Sequence, residues 1–507
     1  MEDPLPETPP LMVFDRTFHP DEANQAFTTG RLLETGQYAY QPQDHHGPTL
    51  YYAAAALQRA AGHADTASLD GTLLRCTPLV FAALALVFGF AALKRLAKSF
   101  VPGIVFALLL GTSPFFAFFA TDFIQETLLA CFLTMMFWAG TGYLHPGAKW
   151  KTGTWALFFG TAAGLAFATK ETCLISFAAA ALAAAPFLVR RVTLEKVRAH
   201  ARDGILAVLG FFIVACILYS DFGRDFHGVY NAFIAAPLSY LGRAAGNATA
   251  STGANWHVHP WWQYLRWLFT ANPGLLALFL FVCPAAWMLR RRTAGRTFNA
   301  FQFACACALA TLAIYSSIPY KTPWCTVQIE APFVLTSVLG LVCIAEASPR
   351  FKWIPLAALP ALLLAFNFPA LVRMNRDPDS TANPCNYAAA SPEVQQLAAT
   401  VAAAVESATN REPRTTPFIA VALPPADTWP FPWYNRPYEP QTGYWTSFDD
   451  LRQIAAAGVK PTVVIVPMEE GHLVQPLFPH LTHTKRFYMR PRIPERQVRG
   501  VRVRVFW

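Results

Sequence analysis

The sequence predicts an α-helical polytopic membrane protein of about ten spans, followed by a C-terminal extracytoplasmic α/β domain. Three observations carry that prediction. Hydrophobic residues make up 54% of the 507 and charged residues only 14%, against about 25% charged in ordinary soluble domains. The apolar residues gather in stretches of roughly 20, the length that crosses a hydrocarbon core. Lys and Arg then alternate between the connections in the way that sets membrane orientation.

The candidate spans run over about 73–93, 101–120, 123–143, 153–169, 172–189, 204–221, 272–289, 298–317, 326–346 and 353–372. One set of connections holds Lys94, Arg95 and Lys98, then Lys149 and Lys151, then Arg190, Arg191, Lys196, Arg198 and Arg202. It continues with Arg290, Arg291, Arg292 and Arg296, and ends at Arg350 and Lys352. The alternate set has only Lys170, Arg224, Arg243, Arg266 and Lys321. The cation-rich set is cytoplasmic. The net charge of +9 therefore belongs to topology and calls for no nucleic acid. The expected place is the cytoplasmic (inner) membrane, with the first loop, the Asp122 turn, the 222–270 loop and the tail outside the cytoplasm. No signal peptide is visible, so an outer N-terminus implies a further spanning helix ahead of residue 1.

Three parts follow: 1–72, a first extracytoplasmic loop with an acidic motif; 73–372, the transmembrane domain; and 373–507, the α/β domain. In the last part, 391–408 and 448–458 read as helices, while 417–423, 461–467 and 499–507 read as strands. Most of the ten cysteines lie inside apolar runs, where Cys acts as a small hydrophobe.

Ionisable residues at membrane depth are costly and usually face a partner or a cavity. Those here fall at outer turns. "HPDEA" places Asp21 and Glu22 at a helix start, where acids complement the dipole whether or not they also do chemistry. "QPQDHHGPTLYY" places His45 and His46 before a Gly-Pro turn, as possible metal ligands or turn residues. Asp122 and Glu126, four residues apart, share one helix face, where like charges need a cation, metal or donor between them, unless they only decorate a helix start. Lys170 and Glu171 can cap helices or face a pocket, and "YKTPW" sets Tyr320 and Lys321 among interfacial aromatics. Together they outline a pocket open to the outside at the lipid–water boundary. The aromatic stretch 427–445 suits either sugar stacking or packing of the tail onto the membrane domain.

"HPDEA", then "DHHGPTLYY", the "TDFIQE" turn and "YKTPW", in that order, resemble the GT-C superfamily of integral-membrane glycosyltransferases, in particular the protein O-mannosyltransferase and aminoarabinose-transferase families. "YKTPW" and the 429–445 stretch are most similar to the flippase-activity-associated membrane protein group. Gly47 stands where the family's His/Lys-Pro-Pro turn has a proline. The resemblance implies an inverting transferase that moves a sugar from a polyprenyl-phosphate donor to a glycan, lipid or protein hydroxyl. It implies Asp21 as base, Glu22 as holder of the loop or of a divalent metal ion, and His46, Tyr320 and Lys321 at the donor phosphate. Asp122 would orient substrate or bind that metal, the one cofactor suggested. His45 and Glu126 are counted with the substrate-binding set, and Lys170 joins it from topology alone. A lipid-linked sugar flippase or a non-catalytic assembly subunit are the alternatives.

Overall fold

The computed structural model describes residues 16–145, 150–191, 193–244, 257–293, 295–348, 350, 354–376, 378, 380, 382–387, 389–490 and 500–507. Helices α1 (Pro20–Thr35) and α2 (Thr49–Ala60) precede a bundle opened by α3 (Gly71–Ala97). A reciprocal cap starts α1: the His19 ring accepts from the Asp21 N–H and the Glu22 carboxylate accepts from the His19 N–H. Asp70 caps α3 through the Leu73 N–H.

Among the described residues the ten apolar stretches are mostly helical, but not all are single long helices. Of the described helices, five are long and apolar enough to cross a membrane: Gly71–Ala97, Glu195–Tyr219, Gly295–Ser317, Pro323–Ala347 and Leu356–Arg376. The pair Gln263–Ala271 and Pro273–Met288, bent by 106°, makes a sixth when counted as one broken span. The stretch expected at 101–120 breaks into α4 (Val101–Gly111) and α5 (Pro114–Phe119), because Pro114 cannot donate into a continuing helix. Helices α6 (Glu126–Tyr143), α7 (Thr152–Phe167) and α8 (Cys173–Arg191) are shorter or less apolar, and α9 (Leu194–Tyr219) closes this half of the bundle. The chain is a multi-pass membrane protein. Pro323–Ala347 is its central span, with 78% of its apolar window buried, whereas Glu195–Tyr219 buries 11% and turns its apolar surface to lipid. Small residues bring α7 against α9: a Cβ on Gly160 would sit 1.8 Å from the Ala207 carbonyl.

The tail carries a mixed five-stranded sheet. Its strands are β1 (Ile419–Ala422), β2 (Thr442–Trp445), β3 (Val463–Pro467), β4 (Thr484–Arg490) and β5 (Val501–Phe506), in the order β2-β1-β3-β5-β4. The first three are parallel, and β5 and β4 run antiparallel. Alternation explains the two cores. Ile419, Val421, Val463 and Ile465 face Val394, Leu397 and Val401 of helix Glu393–Arg411, while Ala420, Val464 and Val466 face Phe448 and Leu451 of helix Phe448–Ala456. Strands β2 and β4 were not expected from the sequence.

The aromatic stretch packs rather than projects. Trp433 stacks on Phe18 at 4.6 Å, Trp429 meets Phe27 edge-on at 5.6 Å, and Arg436 donates to the Leu69 carbonyl at 2.9 Å. The Phe18 N–H donates to the Tyr434 hydroxyl at 2.8 Å. Replacing Trp433 by Ala is expected to cost about 3–5 kcal/mol and to lower the melting temperature in detergent. A change below about 0.5 kcal/mol, the size of an ordinary surface substitution, would show that this contact does not hold the tail.

Candidate active site

The first turns of α1, the 42–46 loop ahead of α2, the 170–172 turn with the start of α8, the 237–241 segment and the 318–325 connection surround a cavity of about 450 Å³. Asp21, His45, His46, Lys170 and Tyr320 line it, together with Glu171, Tyr240, Tyr264 and Trp324. A second space of about 40 Å³ adjoins it, sharing Asp21 and Trp324, and is lined by Glu22 and Asp122. Glu126 and Lys321 are not among the side chains lining either.

Asp21 is half exposed, on the first turn of α1. Its N–H donates to His19 Nδ1 at 3.1 Å, and His19 Nε2 meets the Tyr387 carbonyl at 2.7 Å. Only an Nε2–H tautomer satisfies both contacts.

Glu22 is engaged on both oxygens. Arg75, wholly buried in α3, donates to it from Nε at 2.9 Å and from its terminal nitrogen at 2.8 Å. The Phe123 N–H adds a bond at 2.8 Å and the His19 N–H one at 3.0 Å. Burial alone would raise this carboxyl, but Arg75 and the Phe123 N–H outweigh it and carry it down to about 2. Glu22 thus ties α1 to α3 and to the Asp122 turn.

Asp122 and Glu126 do not share a cation. Asp122 sits in the turn before α6 and pairs with Arg16, whereas Glu126, the first residue of α6, pairs with Lys170 and accepts from Gln328 at 3.1 Å. Burial pushes Asp122 up to about 6 in spite of Arg16. For Lys170, burial works against the charged form, and Glu126 reverses the direction, raising it.

His45 is buried, with its ring nitrogens against Asp44 at 3.1 Å and the Ala39 carbonyl at 3.2 Å. His46 meets Glu171 through Nδ1 at 2.7 Å. Glu171 also accepts from Tyr40, and these contacts overcome its burial to bring it down to about 2. The Gly47-Pro48 turn makes the encounter possible. Thr49 bonds Thr169 at 2.8 Å and the Ala168 carbonyl at 3.2 Å, drawing this turn against the α7–α8 turn. A Cβ on residue 47 would stand 2.3 Å from the Ala168 carbonyl oxygen, so the position that departs from the Pro-Pro pattern is one where a side chain does not fit.

Tyr320 stacks on His257 at 4.4 Å. Lys321 is buried, and its ammonium donates to the Ile318 carbonyl; burial lowers it. Among the described residues, no three His, Cys, Asp or Glu side chains converge as a metal site. The acids do not fit the divalent ion suggested for them, since Glu22, Asp122 and Glu126 each already hold a cation.

No protein family and no curated protein matches the sequence. Solved structures do. ArnT from Cupriavidus metallidurans in the apo state superposes with a TM-score of 0.63 at 13% identity, over 97% of this chain and 95% of that one. The same protein bound to undecaprenyl phosphate gives 0.61 over the same shares, again at 13% identity. The Archaeoglobus fulgidus oligosaccharyltransferase in the apo form gives 0.52 at 12% identity, over 90% of this chain and 66% of that one. The chain shares the fold of ArnT over nearly its whole length. At this identity the GT-C likeness is one of fold, and the roles of individual residues rest on the geometry above.

Sequence reasoning left Arg16, Arg75, Tyr40 and Tyr240 out of the site, and it named Glu171 beside Lys170 without giving it a role of its own. Arg75 had a signal: it is a lone cation just inside an apolar run. Glu22→Gln is expected to cost about 3–5 kcal/mol at pH 6, because it leaves a buried guanidinium without its charge partner. The sign of its pH dependence follows from the depressed carboxyl: its contribution is present above about pH 4.5 and lost as pH falls toward about 2. Melting temperatures of wild type and variant, measured from pH 6 downward, should therefore converge. A constant gap would contradict the ion-pair account.

Proposed function

We propose that this protein is a membrane glycosyltransferase that moves a sugar from a polyprenyl-phosphate donor to an acceptor hydroxyl on the extracytoplasmic side, with inversion at the anomeric carbon. The cavity carries this reading: it gathers an accessible carboxylate, a histidine and a tyrosine from separate stretches of chain around one apolar-walled space. The GT-C fold, and the undecaprenyl phosphate bound by ArnT, support a lipid-phosphate donor.

In this mechanism the acceptor oxygen attacks the anomeric carbon, the bond from that carbon to the phosphate oxygen breaks, and the acceptor proton passes to Asp21. Polyprenyl phosphate departs with the bonding electron pair. A single displacement needs one base on one side of the sugar and a charge-stabilising group on the other. Asp21 suits the first task, being half exposed at the junction of the two spaces. His46 and Tyr320, on the cavity wall, suit the second. Lys170 lines the cavity with its ammonium already paired to Glu126, whereas Lys321 lies outside the lining and would act through its field. The acceptor is a glycan, lipid or protein hydroxyl.

Purified protein would be offered a panel of polyprenyl-phosphate sugars, with release of polyprenyl phosphate as the readout. Turnover is expected in the wild type, and Asp21→Asn should lower it by about 10²–10⁴-fold. Its melting temperature should stay unchanged, because Asp21 makes no ion pair with Lys or Arg among the described residues. Tight donor binding without turnover, indifferent to Asp21→Asn, would overturn the transferase reading in favour of a lipid-sugar transporter or an assembly subunit.

A further inference from the structure

At the end of the bundle away from the cavity, Arg95, Lys98 and Arg296 gather around His145. Arg95 lies about 30 Å along α3 from Arg75. Its Nη1 donates to the Trp138 carbonyl at 2.8 Å and the Thr141 hydroxyl at 2.9 Å, both on α6, and its guanidinium covers the Trp155 ring of α7 at 4.5 Å. Arg296, in the first turn of helix Gly295–Ser317, donates from Nη1 to His145 Nδ1 at 2.9 Å. A guanidinium only donates, so Nδ1 is the acceptor and the neutral ring carries its proton on Nε2. Burial, and then the charges of Arg296, Arg95 and Lys98, lower the His145 pKa, which favours that neutral form.

We infer that Arg95, Lys98, Arg296 and the Nε2–H of His145 form a binding site for the phosphate of an anionic phospholipid headgroup. Among the described residues, none of the three cations has an acid as ion-pair partner. Glu346 takes the Thr297 hydroxyl at 2.9 Å, and Asp203 takes that of Tyr143 at 3.1 Å. Nη2 of Arg296 is buried and meets no acceptor among the described residues. Its place in a first turn makes matters worse, because that end of the helix dipole favours an anion. At the other end of the bundle Arg16, Arg75 and Lys170 each meet a carboxylate. The general preference of cations for one side of a membrane explains their number, not their convergence. Arg290, Arg291 and Arg292, for comparison, spread over an exposed turn. Leu144, next to His145, and Phe100, close after Lys98, are exposed apolar side chains, so acyl chains reach the same place. A basic pocket between spanning helices at the lipid–water boundary suits a lipid phosphate.

The test is binding of phosphatidylglycerol, phosphatidylcholine and inorganic phosphate to the full chain in detergent, followed by native mass spectrometry. Wild type, Arg95→Gln, Arg296→Gln and Arg291→Gln would be compared. The wild type should retain phosphatidylglycerol in preference to phosphatidylcholine, and an excess of inorganic phosphate should not displace it. Arg296→Gln and Arg95→Gln should each weaken phosphatidylglycerol binding about tenfold, the size of one charged hydrogen bond. Arg291→Gln removes the same charge from the exposed turn and should leave the affinity unchanged. Equal affinity in wild type and Arg296→Gln, an equal loss in Arg291→Gln, or no preference for phosphatidylglycerol would overturn the inference. Displacement by inorganic phosphate would overturn the lipid as its source. If Arg95→Gln does not fold, as judged by its melting temperature, Arg296→Gln decides alone, since it leaves the bonds of Arg95 in place. The site stands apart from the cavity, so either result leaves the transferase reading as it is.

Discussion

The site depends on one buried ion pair. Arg75 and Glu22 meet out of reach of solvent, at 0% and 1% side-chain exposure, and each is satisfied beyond the pair. Arg75 also donates to the Arg16 carbonyl at 2.9 Å and covers the Phe18 ring at 4.4 Å, while Glu22 takes the Phe123 and His19 N–H groups. Two desolvated charges are tolerable only when their remaining hydrogen-bonding capacity is filled. Here it is filled by backbone from both flanks, so the pair joins the chain ahead of α1, the start of α3 and the turn before α6. Asp21 is the residue next to this anchor, and its position on the helix start is inherited from it.

The same logic extends across this end of the bundle. Asp122 with Arg16, Glu126 with Lys170 and Glu171 with His46 each match an acid to a cation or a histidine within the low-dielectric wall. A pocket assembled this way has little uncompensated charge of its own. Under the transferase proposed above, such a pocket would receive an anionic headgroup without a large attractive field that would also hold the leaving phosphate too tightly. Deeper in the bundle, Glu330 follows a different rule: it is held by neutral groups, the Asn272 amide at 2.9 Å and the Phe116 N–H at 3.0 Å, beside the sharp bend between Ala271 and Pro273.

Much of this was legible in the sequence, for identifiable reasons. Hydrocarbon thickness and the period of the tail strands are physical rulers, so the helices and β1, β3 and β5 could be placed from residues alone. The break at Pro114 and the 106° bend at Asn272 depend on where neighbouring helices leave room, and no window of hydropathy contains that. Strand β2 lies in an aromatic run without alternation, and β4 mixes exposed Lys485 and Arg486 with buried Phe487 and Met489, which blurs the period. At the site, outer-turn charges gave the candidates but not the pairings. Asp122 and Glu126 looked like partners because four residues is one helical turn, yet the helix begins only at Glu126. Arg16 and Tyr40 are ordinary residues until three-dimensional neighbours give them a task.

The tail's grip on the outset of the chain has a consequence in time. Phe18 and Tyr434 are 416 residues apart in sequence, and His19 is oriented by the carbonyl of Tyr387. Contacts of such separation form only after everything between them has been made and ordered. During synthesis the segment bearing Asp21 is made before the tail, so it must wait for Tyr387 and Tyr434 before its surroundings are complete. A chain cut ahead of Tyr387 therefore lacks the groups that hold Phe18 and orient His19, and the start of α1 is left without its support on that side.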